Sequence, residues 1–173
     1  MQSHHKTTVA ALTIVMFLMG MRSIQAQEKN IDIKILPKAV TAAFQKTYPK
    51  ATITGAATEV EDSKSMFEVE SRDGAINRDL LFTDNGEIFE IEETITPETL
   101  PVDIKSALEK RFTMYQLIKA EKVTLSTKID YELKVKSHKK TYAVVLDSSA
   151  KIIKSEIVSA KKEKKEQNEN DKK

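Results

Sequence analysis

The sequence has no cysteine and no tryptophan, and it has only four glycines and four prolines among its 173 residues. Without cysteine there is no disulfide framework, no thiolate nucleophile and no cysteine-ligated metal site. Aromatic residues make up only 6% of the chain, whereas 40% of the residues are hydrophobic and 31% are charged. The hydrophobic fraction is ordinary for a globular protein, so these absences restrict the chemistry of the chain and not its ability to fold.

The N-terminus has the three parts of a secretory signal peptide. A polar start that contains Lys6 precedes an uninterrupted apolar run over residues 9–21, and Ala26 occupies the expected cleavage position. Arg22 ends the apolar run well short of the roughly 20 residues that a membrane-spanning helix needs. No cysteine follows the run, which excludes a bacterial lipid anchor. We expect residues 1–26 to be removed, leaving a periplasmic or secreted chain without a membrane span.

Cleavage changes the charge of the protein. The loss of Lys6 and Arg22 reduces 28 basic residues to 26, which matches the 26 acidic residues. The mature chain therefore carries no net charge, and there is no general electrostatic argument for nucleic-acid binding.

An internal repeat runs through the mature chain without a gap. Leu36-Pro37 corresponds to Leu100-Pro101, 64 positions later, and at this offset apolar character is kept at nearly every position while polar identity drifts. Four apolar positions follow Pro37 at helical spacing, and four follow Pro101 in the same way: Val40, Ala43, Phe44 and Tyr48, and Ile104, Ala107, Leu108 and Phe112. Proline suits the first turn of a helix, so each copy is predicted to begin with one.

Each predicted helix is followed by segments with the alternation of β-strands. In the first copy the turn signals Asp73-Gly74 and Asp84-Asn85-Gly86 separate them, which predicts four antiparallel strands. The expected fold class is α+β, with two tandem units of a helix and a four-stranded antiparallel sheet, the helices packed on one sheet face.

The predicted organisation has five parts. A lead-in at 27–35 follows the signal peptide, the two repeats occupy 36–96 and 97–159, and a polar, charged tail at 160–173 is expected to be disordered. The short connection Thr96-Pro97-Glu98 keeps the copies adjacent, so their sheets are expected to pack edge to edge or to share a core.

Two runs carry a resemblance to a known family. The segments LPKAVTAAFQKTYPKATI and MFEVESRDGAINRDLLFTDNGEIFEIEE resemble the PepSY-like family, also described as β-lactamase-inhibitor-like. The resemblance covers roughly residues 31–159, although the second copy lacks a proline after Phe112 and has Ala150 in place of the turn glycine. It implies a tandem helix-and-sheet protein of the bacterial envelope, like the β-lactamase inhibitory proteins, which present a sheet face to an enzyme. These motifs are structural, so they do not transfer a partner.

Catalytic patterns are not evident in the sequence. His138, the only histidine left after cleavage, stands in a predicted turn among lysines, and no serine has a nucleophile elbow. The many carboxylates of the first copy alternate with apolar residues, as on the solvated face of a sheet: Glu59, Glu61, Asp62, Glu68, Glu70, Glu90, Glu92 and Glu93. We therefore expect a protein that is not an enzyme and that needs no cofactor and no metal.

Charge differs between the two copies. Residues 36–99 contain 6 basic and 13 acidic residues, and residues 100–159 contain 12 basic and 7 acidic residues, giving net charges of −7 and +5. Two halves of opposite charge can dock on each other, form a head-to-tail dimer or bind a dipolar partner. Random drift of the solvent-facing charges would produce the same difference in net charge.

The leading hypothesis is an exported binding protein of the envelope that uses the outward-facing side of its sheet to engage a protein, such as a peptidase or another hydrolase. The expected partner-binding residues are Glu68, Glu70, Glu90, Glu92, Lys134 and Lys154. The alternative is a periplasmic module that binds a small ligand or an ion and has no protein target.

Overall fold

The structure, a computed structural model, describes residues 29–61 and 64–158. The expected signal peptide at 1–26 and the expected tail at 160–173 lie outside the described residues. Within the described part, no helix is both long and apolar enough to cross a membrane.

One antiparallel sheet forms the body of the protein. Its nine strands are hydrogen-bonded in the order in which they occur in the chain, so each strand pairs with the strands before and after it. The strands are β1 (Lys29–Asn30), β2 (Thr52–Glu61), β3 (Lys64–Asp73), β4 (Ile76–Phe82), β5 (Ile88–Thr94), β6 (Tyr115–Leu125), β7 (Lys128–Ser137), β8 (Lys140–Asp147) and β9 (Ile152–Ile157).

Two helices begin directly after prolines, as the sequence predicts. Helix α1 spans Lys38–Thr47 and α2 spans Val102–Arg111, and each is preceded by an extended proline, at Pro37 and Pro101. The α1 helix ends where the following Tyr48-Pro49 pair disfavours helical backbone. A short 3₁₀ turn at Ile33–Ile35 connects β1 to this region.

Each helix covers a core on the same side of the sheet. Val40 and Phe44 of α1 are buried in one cluster with strand residues such as Val69, and Ile104 and Leu108 of α2 are buried in a second cluster. Both clusters use residues that alternate along the strands, which places every second side chain under a helix.

The strands of the two predicted units are joined edge to edge, which is one of the two arrangements expected from the short connection between the copies. The order of a helix followed by four strands occurs twice, but the strands join into one nine-stranded sheet, with the two-residue β1 as an unpredicted addition. The joint is the antiparallel pairing of β5 with β6, from Glu90 opposite Leu125 to Thr94 opposite Glu121. The backbone N–H of Ile95 extends this pairing by donating to the carbonyl of Ala120 at 2.9 Å. Pairing satisfies backbone groups that would otherwise form two open edges.

The turn between β7 and β8 contains a left-handed residue that is not glycine. His138 has a φ of +53° and is exposed, and its counterpart 64 positions earlier is Gly74, with a φ of +62°. A side chain in left-handed backbone costs about 1–2 kcal/mol, although short polar side chains tolerate it better.

We expect His138→Gly to stabilise the protein by about 0.5–1 kcal/mol, because glycine adopts this backbone without the steric cost. Urea denaturation followed by circular dichroism measures the change. Lys139→Gly is the matched control, because Lys139 is the neighbouring residue and does not have a positive φ. It should destabilise, and equal effects from both substitutions would contradict the explanation.

Candidate functional site

The sheet has a second face that neither helix covers. On β3, Val69 points into the core below α1, so Glu68 and Glu70 lie on the opposite side. We call this side, opposite α1 and α2, the open face.

All six residues predicted to bind a partner lie on strands at positions that belong to the open face. The register places Glu68 opposite Leu81, which in turn lies opposite Glu90, and a neighbouring row runs from Glu70 through Asp79 to Glu92. The structure therefore brings the four predicted glutamates together in two adjacent rows.

The two predicted lysines lie further along the same face. Lys134 is on β7, where it is opposite Lys119, and Lys154 is on β9, where it is opposite Val145. The lysines therefore occupy the later strands of the sheet, in keeping with the charge difference between the two copies.

The expectation that these carboxylates form a solvated face is wrong for four of the six whose burial is described; the side chains of Glu61 and Asp62 lie outside the described part. Glu59, Glu68, Glu90 and Glu92 are only 6–7% exposed. Side chains on adjacent strands have Cβ atoms about 5 Å apart, so rows of long side chains cover one another even without a second layer of structure. Alternation identifies the face of each residue and not its exposure.

Glu93 is a separate correction, because it lies on the helix side. Its Oε2 accepts a hydrogen bond from Nε of Arg78 at 2.5 Å, and the Arg78 guanidinium lies 4.7 Å from the centre of the Tyr48 ring. Adjacent residues of a strand face opposite ways, so Glu92 and Glu93 cannot share the open face.

Sequence reasoning missed three acidic residues at the centre of the open face. Asp79 lies directly opposite Glu92, and Glu121 of β6 lies directly opposite Glu132 of β7. We use the name carboxylate cluster for these residues together with the two predicted glutamates of β5, namely Asp79, Glu90, Glu92, Glu121 and Glu132. Three members of the cluster lie on β4 and β5, and two lie on β6 and β7, so only the pairing of β5 with β6 brings the two groups together. No local signal in the sequence reveals that pairing.

Burial and repulsion raise the proton affinity of the cluster. Burial, followed by the charges of Glu132 and Glu121 and then those of Glu90 and Asp79, raises the pKa of Glu92 to about 10. Burial is also the largest cause that raises the pKa of Glu132 to about 7, with Glu121 and Glu90 next, while Lys119 lowers it. Glu92 is therefore protonated at neutral pH, and the cluster holds fewer charges than its composition suggests.

One cation of the open face pairs with a member of the cluster, and another pairs with a carboxylate of β9. Lys119 Nζ lies 2.5 Å from Oε1 of Glu121, and Lys154 Nζ lies 3.2 Å from Oε2 of Glu156. The open face is thus acidic over β3 to β5 and mixed in charge from β6 to β9.

The residues considered for hydrolytic or metal chemistry lie in turns. His138 is exposed in the turn between β7 and β8, and the Ser149 hydroxyl donates to Oδ1 of Asp147 within another turn. Across residues 29–61 and 64–158, no three His, Cys, Asp or Glu side chains are placed to hold a metal ion.

Comparison with known proteins identifies a family and a fold. The family model described as "Putative beta-lactamase-inhibitor-like, PepSY-like" matches twice, over residues 22–90 and 65–154. No curated protein matches the sequence.

Several solved structures from Bacteroides have a similar fold. A protein of Bacteroides eggerthii described among "putative periplasmic proteins" is 16% identical, with a TM-score of 0.58 over 70% of this chain and 88% of that one. A DUF2874 family protein of Bacteroides ovatus is 17% identical, with a TM-score of 0.57 over 72% and 89%. A BLIP-like protein of Bacteroides fragilis is 16% identical, with a TM-score of 0.54 over 70% and 86%. At these identities the similarity establishes the fold alone.

Proposed function

The chain belongs to the PepSY-like, β-lactamase-inhibitor-like family. From this premise we propose that it is an exported, non-catalytic protein of the bacterial envelope. We propose that it binds a protein partner through its open face. The apolar run at 9–21 and the description of the Bacteroides eggerthii protein as periplasmic both support the location.

The observation that carries the proposal is the carboxylate cluster on an otherwise uncovered sheet face. Two pairs of acidic residues, Asp79 with Glu92 and Glu121 with Glu132, stand directly opposite each other on neighbouring strands. Directly opposed carboxyl groups either repel each other or must take up a proton, and both outcomes cost stability. These side chains lie on the side opposite the helices, so neither helix core requires them. Groups kept at a cost in stability are characteristic of binding and catalytic sites.

A protein is the partner that this surface suits best. The rows of side chains extend over the five strands from β3 to β7, which is a wider surface than the concave pocket of a small-molecule site. The description of the family as β-lactamase-inhibitor-like supports an enzyme of the envelope, such as a peptidase or another hydrolase, as the class of partner.

The proposal is tested by affinity capture from envelope extract of the source bacterium at low and moderate salt, with the processed protein as bait. We expect a saturable protein partner to be captured by the wild type and lost with the Glu90→Gln/Glu92→Gln double variant. Glutamine removes the titratable carboxyl groups and keeps the shape, and because both side chains are buried it avoids placing a new charge in a covered position.

The matched control is Asp103→Asn/Glu109→Gln, which removes two charges from exposed positions on α2. This control should capture the partner as the wild type does. Capture that is lost equally in both double variants would exclude the open face as the site. A wild type that captures no protein, but whose melting temperature rises with a small molecule or divalent cation, would favour the small-ligand module instead.

A further inference from the structure

The last strand of the sheet has an outer edge that no described strand covers. Strand β9 pairs with β8 on one side, and it is the final strand in the order of the sheet. Two apolar residues of this strand, Ile153 and Ile157, are 49% and 55% exposed. An exposed edge with apolar side chains is a ready template for pairing with another strand.

The sequence of β9 from residue 153 to residue 157 is self-complementary when it is read in antiparallel. The residues are Ile153, Lys154, Ser155, Glu156 and Ile157. If a second copy of the strand lies antiparallel with its Ser155 opposite Ser155, each Lys154 faces a Glu156 and each Ile153 faces an Ile157. Opposite charges and apolar pairs are the cross-strand neighbours that stabilise a sheet.

The backbone of β9 from residue 154 to residue 157 is oriented for this register, and Ile153 lies at a bulge against β8. The N–H of Val158 donates to the carbonyl of Thr141 at 2.8 Å, which makes these two residues a hydrogen-bonded pair with β8. Because the direction alternates along an antiparallel strand, Ser155 and Ile157 point their N–H and C=O groups away from β8, towards the uncovered edge. The central pair of the proposed register is therefore a hydrogen-bonded one.

Side chains at the centre are also consistent with pairing. The Ser155 hydroxyl is buried and has no hydrogen-bond partner among the described residues. In the proposed register a second Ser155 lies directly opposite it. Lys154 and Glu156 form an ion pair at 3.2 Å within one chain. In the dimer, each of them also faces the opposite charge on the second chain.

We propose that β9 is a homodimer interface, in which two copies of this chain join their sheets through antiparallel pairing of residues 153–157 about a twofold axis at Ser155. An axis perpendicular to the sheet keeps both sets of helices on one side, so the two open faces become one continuous surface. Five residues on each side bury less than the roughly 1,200–2,000 Å² of a standard stable interface, so the dimer is weak and concentration-dependent.

The experiment is sedimentation equilibrium of the processed protein, produced in an export host, from micromolar to millimolar concentration. We expect the wild type to form dimers at the upper end of this range. Ser155→Pro should be monomeric throughout, because proline removes the outward N–H while the hydrogen bonds to β8 remain. Its fold is checked by circular dichroism.

A charge-swap pair tests the register without proline. Lys154→Glu places two Glu–Glu pairs across the interface and should weaken dimerisation by about tenfold, since each cross-strand charge pair changes sign. The double variant Lys154→Glu/Glu156→Lys restores both opposite-charge pairs and should recover wild-type dimerisation. A wild type that stays monomeric throughout, or a dimer that is unchanged in Ser155→Pro, would overturn the proposal, and so would a swapped variant that dimerises no better than the single one.

Discussion

The Glu92→Gln variant is expected to be more stable than the wild type by about 2–3 kcal/mol at pH 7. Glu92 is 7% exposed and lies directly opposite Asp79, with Glu90, Glu121 and Glu132 also close enough to repel it. A glutamine is neutral in the folded and the unfolded state. Folding of the variant therefore does not include the free-energy cost of protonating or burying this carboxylate.

The same group makes the stability of the wild type depend on pH. Its pKa rises from 4.5 to about 10 on folding, so the folded state holds a proton that the unfolded state releases at neutral pH. The stabilising contribution is complete below the unfolded pKa and is lost as the pH rises towards the folded pKa. Glu132, with a folded pKa of about 7, acts in the same direction over a narrower range.

Thermal unfolding followed by circular dichroism, in buffers from about pH 5 to about pH 9, measures both effects. The melting temperature of the wild type should fall steadily as the pH rises, and that of Glu92→Gln should fall less steeply. The control is Glu87→Gln, at an exposed position in the turn before β5, which should leave the slope unchanged. A Glu92→Gln variant no more stable than the wild type at about pH 8 would mean that Glu92 is ionised and accommodated in the folded protein.

The local elements of the fold could be predicted because their signals are local. Pro37 and Pro101 mark the helix starts, and the two glycine turns of the first copy, at Gly74 and Gly86, have the positive φ that their sequences predict. The short connection Thr96-Pro97-Glu98 predicts edge-to-edge packing or a shared core, but it does not choose between them and does not give the register. The pairing of β5 with β6 connects residues that are 27 to 35 positions apart in the chain, and nothing in either strand specifies its neighbour.

The candidate site shows the same division. Period-two alternation placed Glu68, Glu70, Glu90 and Glu92 on one face, which the structure also has. The burial and the pKa values of these carboxyl groups depend on the cross-strand register, which places Asp79 opposite Glu92. The alternation of residues along a strand does not specify that register. The role of these residues in binding stays a prediction, and the capture experiment tests it.

Gly86→Ala is expected to destabilise the protein by about 2–4 kcal/mol, the combined cost of left-handed backbone and of overpacking. Gly86 has a φ of +86° in the turn between β4 and β5. A Cβ at this position would lie 2.6 Å from the carbonyl oxygen of Ala39 and 2.9 Å from its carbonyl carbon, in the first turn of α1. Backbone of a packed helix cannot move aside as a flexible side chain can, so either the turn or the helix must shift.

The control Gly74→Ala separates the two causes. Gly74 has a φ of +62°, but a Cβ there would meet nothing within 4 Å, so its substitution costs only the backbone strain, about 1 kcal/mol. The counterpart of Gly86 after 64 positions is Ala150, which carries a methyl group at a φ of +64°. Left-handed backbone alone is therefore compatible with alanine in this turn, and the close approach of α1 is what requires glycine at residue 86. Urea denaturation of both variants measures the difference, and equal losses of stability would show that contact with Ala39 contributes nothing.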